Sequence, residues 1–148
     1  MAHVQQQILE GVQAALAAAG TDAGARVFLD RLDPLQPNEL PALLVEEAPA
    51  GETVVPNTVN GLEQRAYTVL VTAVVSHRTE YGAQARELGL QVEKVLGIPA
   101  FAVPKAGRAR IVASRMTLAG EGDRAMAARE QAWQFTYFTR RGAPDIAS

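Results

Sequence analysis

The 148-residue sequence has no cysteine, few aromatic residues and no strong excess of either charge. The absence of cysteine excludes disulfides, thiol nucleophiles and cysteine-ligated zinc. Aromatic residues make up only 5% of the chain, so a core must be built mainly from Val, Leu, Ile and Ala. The formal net charge of −2 gives no global field that would gather nucleic acid from solution, although local basic patches are compatible with it.

Targeting and membrane signals are also absent from the start of the chain. Residues 1–20 have no basic n-region, and Gln and Glu interrupt their apolar residues, unlike a signal peptide or a membrane span. We therefore expect no Sec-type export and no membrane partner. Hydrophobic residues at 48% and charged residues at 20% are typical of a globular chain, and the length fits one domain over residues 1–148.

No motif points to catalysis, a cofactor or a metal. The two histidines, His3 and His77, lack partners at the spacing of a zinc site. Ser76 and His77 are neighbours on a predicted strand and point to opposite faces, so they do not form a nucleophile and its base. The pattern Gly120-Glu121-Gly122 lacks the Lys-Ser/Thr of a phosphate loop.

The strongest structural pattern is the alternation of side chains from Gly61 to Arg78. One face of this predicted strand is wholly apolar and the other is mixed, as in a sheet that is covered mainly on one side. The apolar face consists of Tyr67, Val69, Val71, Ala73 and Val75. The pattern predicts a central strand with helices against that face.

The rest of the chain supplies two helices and four more strands. Helical spacing predicts helices over His3 to Ala19 and Thr79 to Leu96. The further predicted strands are Arg26–Leu29, Leu40–Glu47, Arg108–Leu118 and Arg129–Arg140. Together they predict an α+β fold: a single domain with a mainly antiparallel or mixed sheet of about five strands and two helices packed on one face.

Side-chain alternation also assigns faces to the last two strands. Trp133, Phe135 and Tyr137 share one face, and we interpret them as core rather than as a base-stacking platform. In the strand before it, Val112 falls on the same face as Met116, and Ile111 falls on the other.

Three connecting segments are candidates for contact. Ala48 to Asn60 mixes turn residues with the apolar pair Val54 and Val55. We interpret residues 51–60 as a mobile contact loop, which either has no partner or becomes ordered when a partner binds. Glu121 to Arg129 contains a predicted hairpin turn. Residues 142–148 form a polar tail, disordered or docked on a neighbour.

Arginine accounts for twelve of the fourteen basic residues, and many of them lie in the C-terminal half. Arginine pairs in a fork with carboxylates and is enriched at interfaces. We therefore favour subunit contacts, or a duct that passes nucleic acid, over ordinary surface charge. The candidate assembly contacts are Glu52, Val54, Val55, Arg108, Arg110, Arg124, Arg129, Arg140 and Arg141.

The start of the chain resembles the tail terminator proteins of long-tailed bacteriophages, a class of minor tail protein. The resemblance is carried by the N-terminal helix and three short stretches. These are Arg26-Val27-Phe28-Leu29, Asp33-Pro34-Leu35 and Glu39-Leu40-Pro41-Ala42-Leu43-Leu44-Val45. The remaining order of a long strand, a helix and a closing two-stranded hairpin agrees over almost the whole chain.

The resemblance implies a non-enzymatic structural protein of the virion, assembled in the host cytoplasm and located in the tail–neck region. Such a protein forms a homo-oligomer, a hexameric ring, on the head-proximal end of the tail tube. There it stops tube polymerisation and provides the surface for head joining. The implied partners are the tail tube protein and a neck or head-completion protein, and genomic DNA passes non-specifically through the ring. The resemblance implies no cofactor.

Two other interpretations stay open at this point. One is another ring protein of the head–tail neck. The other belongs to a different class: a small ligand-binding or enzymatic α+β domain whose site is assembled from residues far apart in sequence.

Overall fold

The computed structural model describes residues 2–57, 61–76, 80–97, 109–119 and 125–147. A five-stranded mixed sheet carries two helices on one face, which confirms the predicted α+β fold. The strand order is β1-β2-β3-β5-β4, with β1 parallel to β2 and the other pairs antiparallel. The elements are α1 (Val4–Ala18), β1 (Val27–Leu29), β2 (Ala42–Asn57), β3 (Leu62–Ser76), α2 (Tyr81–Leu96), β4 (Arg110–Ala119) and β5 (Met126–Arg140).

The central strand is β3, which pairs with β2 on one side and β5 on the other. The five residues of its predicted apolar face are at most 3% exposed and form the floor of the core. Trp133, Phe135 and Tyr137 on β5 lie on the same side of the sheet and are at most 2% exposed. Both core predictions are confirmed.

The helices cover this floor with residues at helical spacing. In α1 the buried residues include Val4, Ile8, Val12 and Leu16, and in α2 they include Ala85, Leu88, Val92 and Leu96. Each series lies on one stripe of its helix, and charged residues such as Glu10 and Arg86 are exposed on the opposite side. The opposite face of the sheet has no α-helix among the described residues.

β2 continues through a segment that the sequence predicted to be a loop. Its register with β3 shifts between Glu47 and Glu52, and pairing then resumes from Glu52 opposite Tyr67 to Asn57 opposite Leu62. The loop prediction is wrong for residues 51–57, and residues 58–60 lie outside the described ranges. Gly51, at φ +61°, has a left-handed backbone conformation within this register shift. The turn residues therefore interrupt the pairing, but the strand continues beyond them.

β4 departs from the predicted alternation at one residue. A register shift between Ile111 and Ala113 leaves Val112 as an extra residue that is 43% exposed. Ile111 and Met116 therefore both pack against the core, although the sequence pattern placed them on opposite faces. A bulge reverses the phase of a strand, which a pattern of period two does not predict.

The C-terminal tail docks on its own chain. Ala147 forms an isolated bridge with Thr139 of β5, and the backbone N–H of Val4 donates to the carbonyl of Pro144 at 3.0 Å. These contacts fasten the tail to the start of α1. The sequence interpretation, a tail that is disordered or docked on a neighbour, did not include these contacts with the chain itself.

A buried amide holds α2 close to the sheet. Gln131, which is 2% exposed, donates from Nε2 to the carbonyl of Gly89 at 3.0 Å and accepts from Trp133 Nε1 at 3.0 Å. A Cβ atom on Gly89 would lie 2.8 Å from Gln131 Nε2. The missing side chain of Gly89 thus permits the close approach of helix and strand.

We expect Gly89→Ala to lower the free energy of unfolding by about 1–3 kcal/mol, because the new methyl group displaces a buried, doubly bonded amide. Gly82→Ala in the same helix is the matched control. Its Cβ would meet only the end of the exposed Arg86 side chain, and alanine favours the helix by up to about 1 kcal/mol. Chemical denaturation of both variants measures the difference, and equal stabilities would contradict this role of Gly89.

Candidate assembly surface

The segment around Val54 and Val55 belongs to a three-stranded arm, which we define as residues 52–57 of β2, 62–67 of β3 and 135–140 of β5. The two valines are 44% and 53% exposed. Val54 lies opposite Arg65 and Val55 opposite Gln64, so they point to opposite faces of the arm. They are therefore parts of two different surfaces and not one hydrophobic tip.

A polar network inside the arm engages Glu52. Its carboxylate accepts from Arg65 Nη1 at 2.8 Å and from the hydroxyl of Tyr137 at 2.5 Å. Arg65 also donates to Glu63 at 3.1 Å and to Thr139 at 3.0 Å. The side chains of Glu52 and Arg65 are only 7% and 14% exposed. In this structure Glu52 is an internal anchor that joins all three strands of the arm.

The predicted arginine contacts are spread over both faces of the sheet. Arg110 begins β4 and Arg140 ends β5, and both are exposed. Their register, opposite Gln134 and Leu62, puts them on the helix-free side, which we call the open face. They mark its rim at two separate places.

Two other predicted arginines, Arg129 and Arg141, do not join that rim. Arg129 is half-buried on the helix side, close to Gly89. The side chain of Arg141 is 85% exposed and lies 3.8 Å from Glu63. Arg108 and Arg124 lie outside the described residues.

The open face carries two hollows that the sequence did not indicate. The β4 hollow, of about 780 Å³, has small or apolar residues such as Leu70 and Ala132 on its floor and Pro49 and Val112 on its walls. The second, of about 500 Å³, lies next to it and includes Val74 on its floor. Short side chains on the open face leave this space, and the sequence pattern described the face only as mixed.

A rigid loop of residues 31–36, the Leu32 loop, forms one wall of the second hollow. Leu32 is 97% exposed. Arg31 holds the loop: it contacts both carboxylate oxygens of Glu39 at 2.6 and 2.8 Å, donates to the carbonyls of Asp33 and Pro34, and stacks 4.5 Å from the centre of the Phe28 ring. The only sequence signal for this surface was a Pro-punctuated connection with leucines at both Leu32 and Leu35.

The ion pair between Arg31 and Glu39 persists over a wide pH range. The hydrogen bonds from Arg31, and then that from the backbone of Gln36, lower the pKa of Glu39 to about 2. Glu39 therefore remains ionised, and the Arg31 clamp persists, at every pH at which the protein would ordinarily be handled.

A third hollow, of about 310 Å³, bears on the ligand-binding alternative. Of the described residues that line it, Asp22 alone is titratable, and the rest include Leu40, Gln84 and Leu88. Within the described ranges no group of three or more His, Asp and Glu could hold a metal ion. No helix in the same part of the chain is long and apolar enough to cross a membrane. The described lining of this hollow thus contains no paired acid and base.

Comparison with known proteins shows similarity at the level of the fold. No family model matches the chain, and no curated protein matches it significantly. Its structure is similar to a chain in the solved virion of a native gene transfer agent particle, with a TM-score of 0.53 and 17% sequence identity. The similarity covers 90% of this chain and 90% of that chain, so the two share one fold over nearly their whole lengths.

We expect Glu52→Gln to lower the free energy of unfolding by about 1–3 kcal/mol, because it removes the more buried of the two carboxylates that compensate Arg65. Glu130→Gln is the control. Glu130 Oε2 lies 2.8 Å from Nε of Arg115, whose side chain is 73% exposed, and such surface pairs contribute about 0–1 kcal/mol to stability. Denaturant titration compares the two. A loss no greater for Glu52→Gln than for the control would contradict the anchoring role.

Stability at alkaline pH tests the same network. Burial, followed by the hydrogen bond with Glu52, raises the pKa of Tyr137 above its ordinary value, and burial with the hydrogen bond to Glu47 does the same for Tyr67. The unfolded chain releases these protons near pH 10, while the folded chain retains them. Their contribution to stability is therefore complete below pH 10 and declines above it, by about 1.4 kcal/mol per pH unit for each tyrosine.

Tyr137→Phe should halve that alkaline slope, from about 2.7 to about 1.4 kcal/mol per pH unit, because one of the two retained protons is gone. Urea denaturation between pH 9 and pH 11.5 measures the slope. Wild-type protein is the reference, and an unchanged slope in the variant would show that Tyr137 does not keep its proton in the folded state.

Proposed function

We propose that this protein is a structural phage tail terminator: a ring that caps the head-proximal end of the tail tube, stops tube polymerisation and provides the surface for head joining. The observation that carries the proposal is the fold likeness to a chain of a gene transfer agent virion over 90% of both chains. That likeness favours a structural role in a virion. The order of elements and the short stretches that resemble tail terminators supply the more specific role.

The surface features are compatible with a ring. A closed ring needs two different patches on each copy that fit each other head to tail. This chain has an arm with exposed valines on both faces, an open sheet face with hollows, and a rigid exposed loop. In the described part of the chain we find no catalytic pair or metal cluster that would favour an enzyme instead.

Several residues are candidate contacts under this proposal. Val54 and Val55 on the arm, with the exposed Arg110, Arg140 and Arg141, are available to neighbouring copies, the tail tube protein or a neck protein. Arg108, Arg124 and Arg129 remain candidates from the sequence. Glu52 holds the arm in shape. Genomic DNA would pass through the ring without specific contacts, and the protein would reside in the tail–neck region of the virion.

The second candidate is another ring protein of the head–tail neck, because the same fold likeness supports it equally. The two differ in what the ring binds. A terminator binds the end of the tail tube, whereas a neck protein binds the capsid connector and leaves tubes unchanged. A pull-down with each partner separately distinguishes them.

We expect purified protein, alone or with tail tubes, to form rings whose light-scattering mass is a multiple of 15.8 kDa, about 95 kDa for six copies. Electron micrographs of mixtures with tubes should show rings at one tube end and no further elongation. Val54→Asp and Val55→Asp, made separately because they lie on opposite faces, report which face of the arm takes part. A strict monomer that neither binds tube ends nor limits tube length would contradict the proposal.

A further inference from the structure

We propose that the Leu32 loop of one copy inserts into the β4 hollow on the open face of the next copy, and that this head-to-tail contact joins the subunits. The proposal rests on the ring-forming function proposed above. It names the two surfaces that hold the ring together, and neither of them was among the contacts indicated by the sequence.

The loop has the properties of an inserted element. Leu32 is 97% exposed, whereas the next most exposed large hydrophobic side chain of the described chain, Leu118, is 55% exposed. Arg31 fixes the loop through Glu39, two backbone carbonyls and the Phe28 ring. A loop that is already ordered loses little conformational entropy on binding, so most of the gain from burying Leu32 is retained.

The β4 hollow has the properties of a receptor. Its floor is built from short or apolar side chains, including Thr68, Leu70 and Ala132, and Val112 projects from the bulge at its edge. At about 780 Å³ it is large enough for several side chains. The bulge in β4 and the irregularity in β2 form its two walls, so both departures from regular strand structure shape the site.

Charge favours the same pairing. Asp33 is exposed beside Leu32, and the charge of Arg31 is already matched by Glu39. The rim of the β4 hollow carries Arg115, which is 73% exposed and paired with Glu130 at 2.8 Å, and the exposed Arg110 lies on the same face. Asp33 on the loop and Arg110 on the open face thus offer one pair of opposite charges to orient the contact, while Arg115 and Glu130 at the rim balance each other.

A second copy of this chain is the occupant that these features select. The loop walls the second hollow of its own chain but leaves Leu32 in solvent, so it does not satisfy the contact internally. Loop and hollow are different patches on one chain, so their contact runs head to tail, and it closes into a ring when the rotation from copy to copy completes a full turn. Four strands over about ten residues offer roughly 500 Å² of open face, a large part of the roughly 800 Å² per partner of a stable interface.

The absence of native cysteine permits a direct test by disulfide trapping. A double variant, Leu32→Cys with Ala132→Cys, should give a ladder of covalent oligomers under mild oxidation. An equal mixture of the two single variants should give a covalent dimer and nothing larger. The control pairs Leu90→Cys with Ala132→Cys, since Leu90 is 42% exposed but lies on α2, and it should give no ladder.

A second measurement needs no cross-link. Leu32→Asp should weaken self-association in sedimentation by ten- to a hundredfold, because a buried leucine contact becomes a buried carboxylate. Leu90→Asp should change it less than twofold. Circular dichroism should show both variants folded, because both positions are exposed.

The contact would be overturned if the control pair cross-linked as readily as the test pair, or if Ala132→Cys alone gave covalent dimers. An association constant that is unchanged in Leu32→Asp would also overturn it. So would wild-type protein that does not associate at any concentration, with or without tubes. Rings that cap tubes normally without the Leu32 contact would reject this inference and leave the proposed function intact. Trapped rings that ignore tubes would support the contact and reject the terminator role.

Discussion

Burial of one face of β3 is the constraint on which the rest of the structure depends. The strand lies at the centre of the sheet, and its five apolar residues are the floor against which both helices pack. With few aromatic residues, the core relies on Val and Leu at this floor and on the three aromatic rings of β5 beside it. Because the α-helices cover only one side, the opposite face of the same strands is not covered by an α-helix in the described residues.

The two faces of the sheet therefore differ in how closely they are packed. The helix side is close-packed, and the Gln131 amide ties α2 to β5 through Gly89. The open face has short side chains and hollows, which a folded monomer leaves in contact with water. Apolar hollows on an otherwise well-packed domain are typical of surfaces that another protein covers. This asymmetry agrees with the proposed role as a subunit of an assembly.

The arm shows how the chain stabilises a projecting part of the sheet with polar groups. Glu52, Arg65 and Tyr137 come from three different strands and meet in a nearly buried cluster. Removing one partner would leave a nearly buried charge without its compensation, which costs free energy. The cluster therefore holds the three strands in register. It also explains why Glu52, which looked like an exposed contact residue in the sequence, points into its own chain.

The sequence by itself determined both helices, the central strand β3 and the aromatic face of β5, because their signals are local: a period of 3.6 or of two within one segment. Only the tertiary structure decided the extent of β2, the phase of β4 at Val112 and the exposure of Leu32. The first two depend on pairing with residues distant in the chain: β2 on β3, and the bulge on β5. The Leu32 loop depends on the side-chain clamp between Arg31 and Glu39, which is local but follows no periodic pattern. The dispersal of the arginines follows from the same cause, since strand register, and not spacing in the sequence, sets the face on which each one lies.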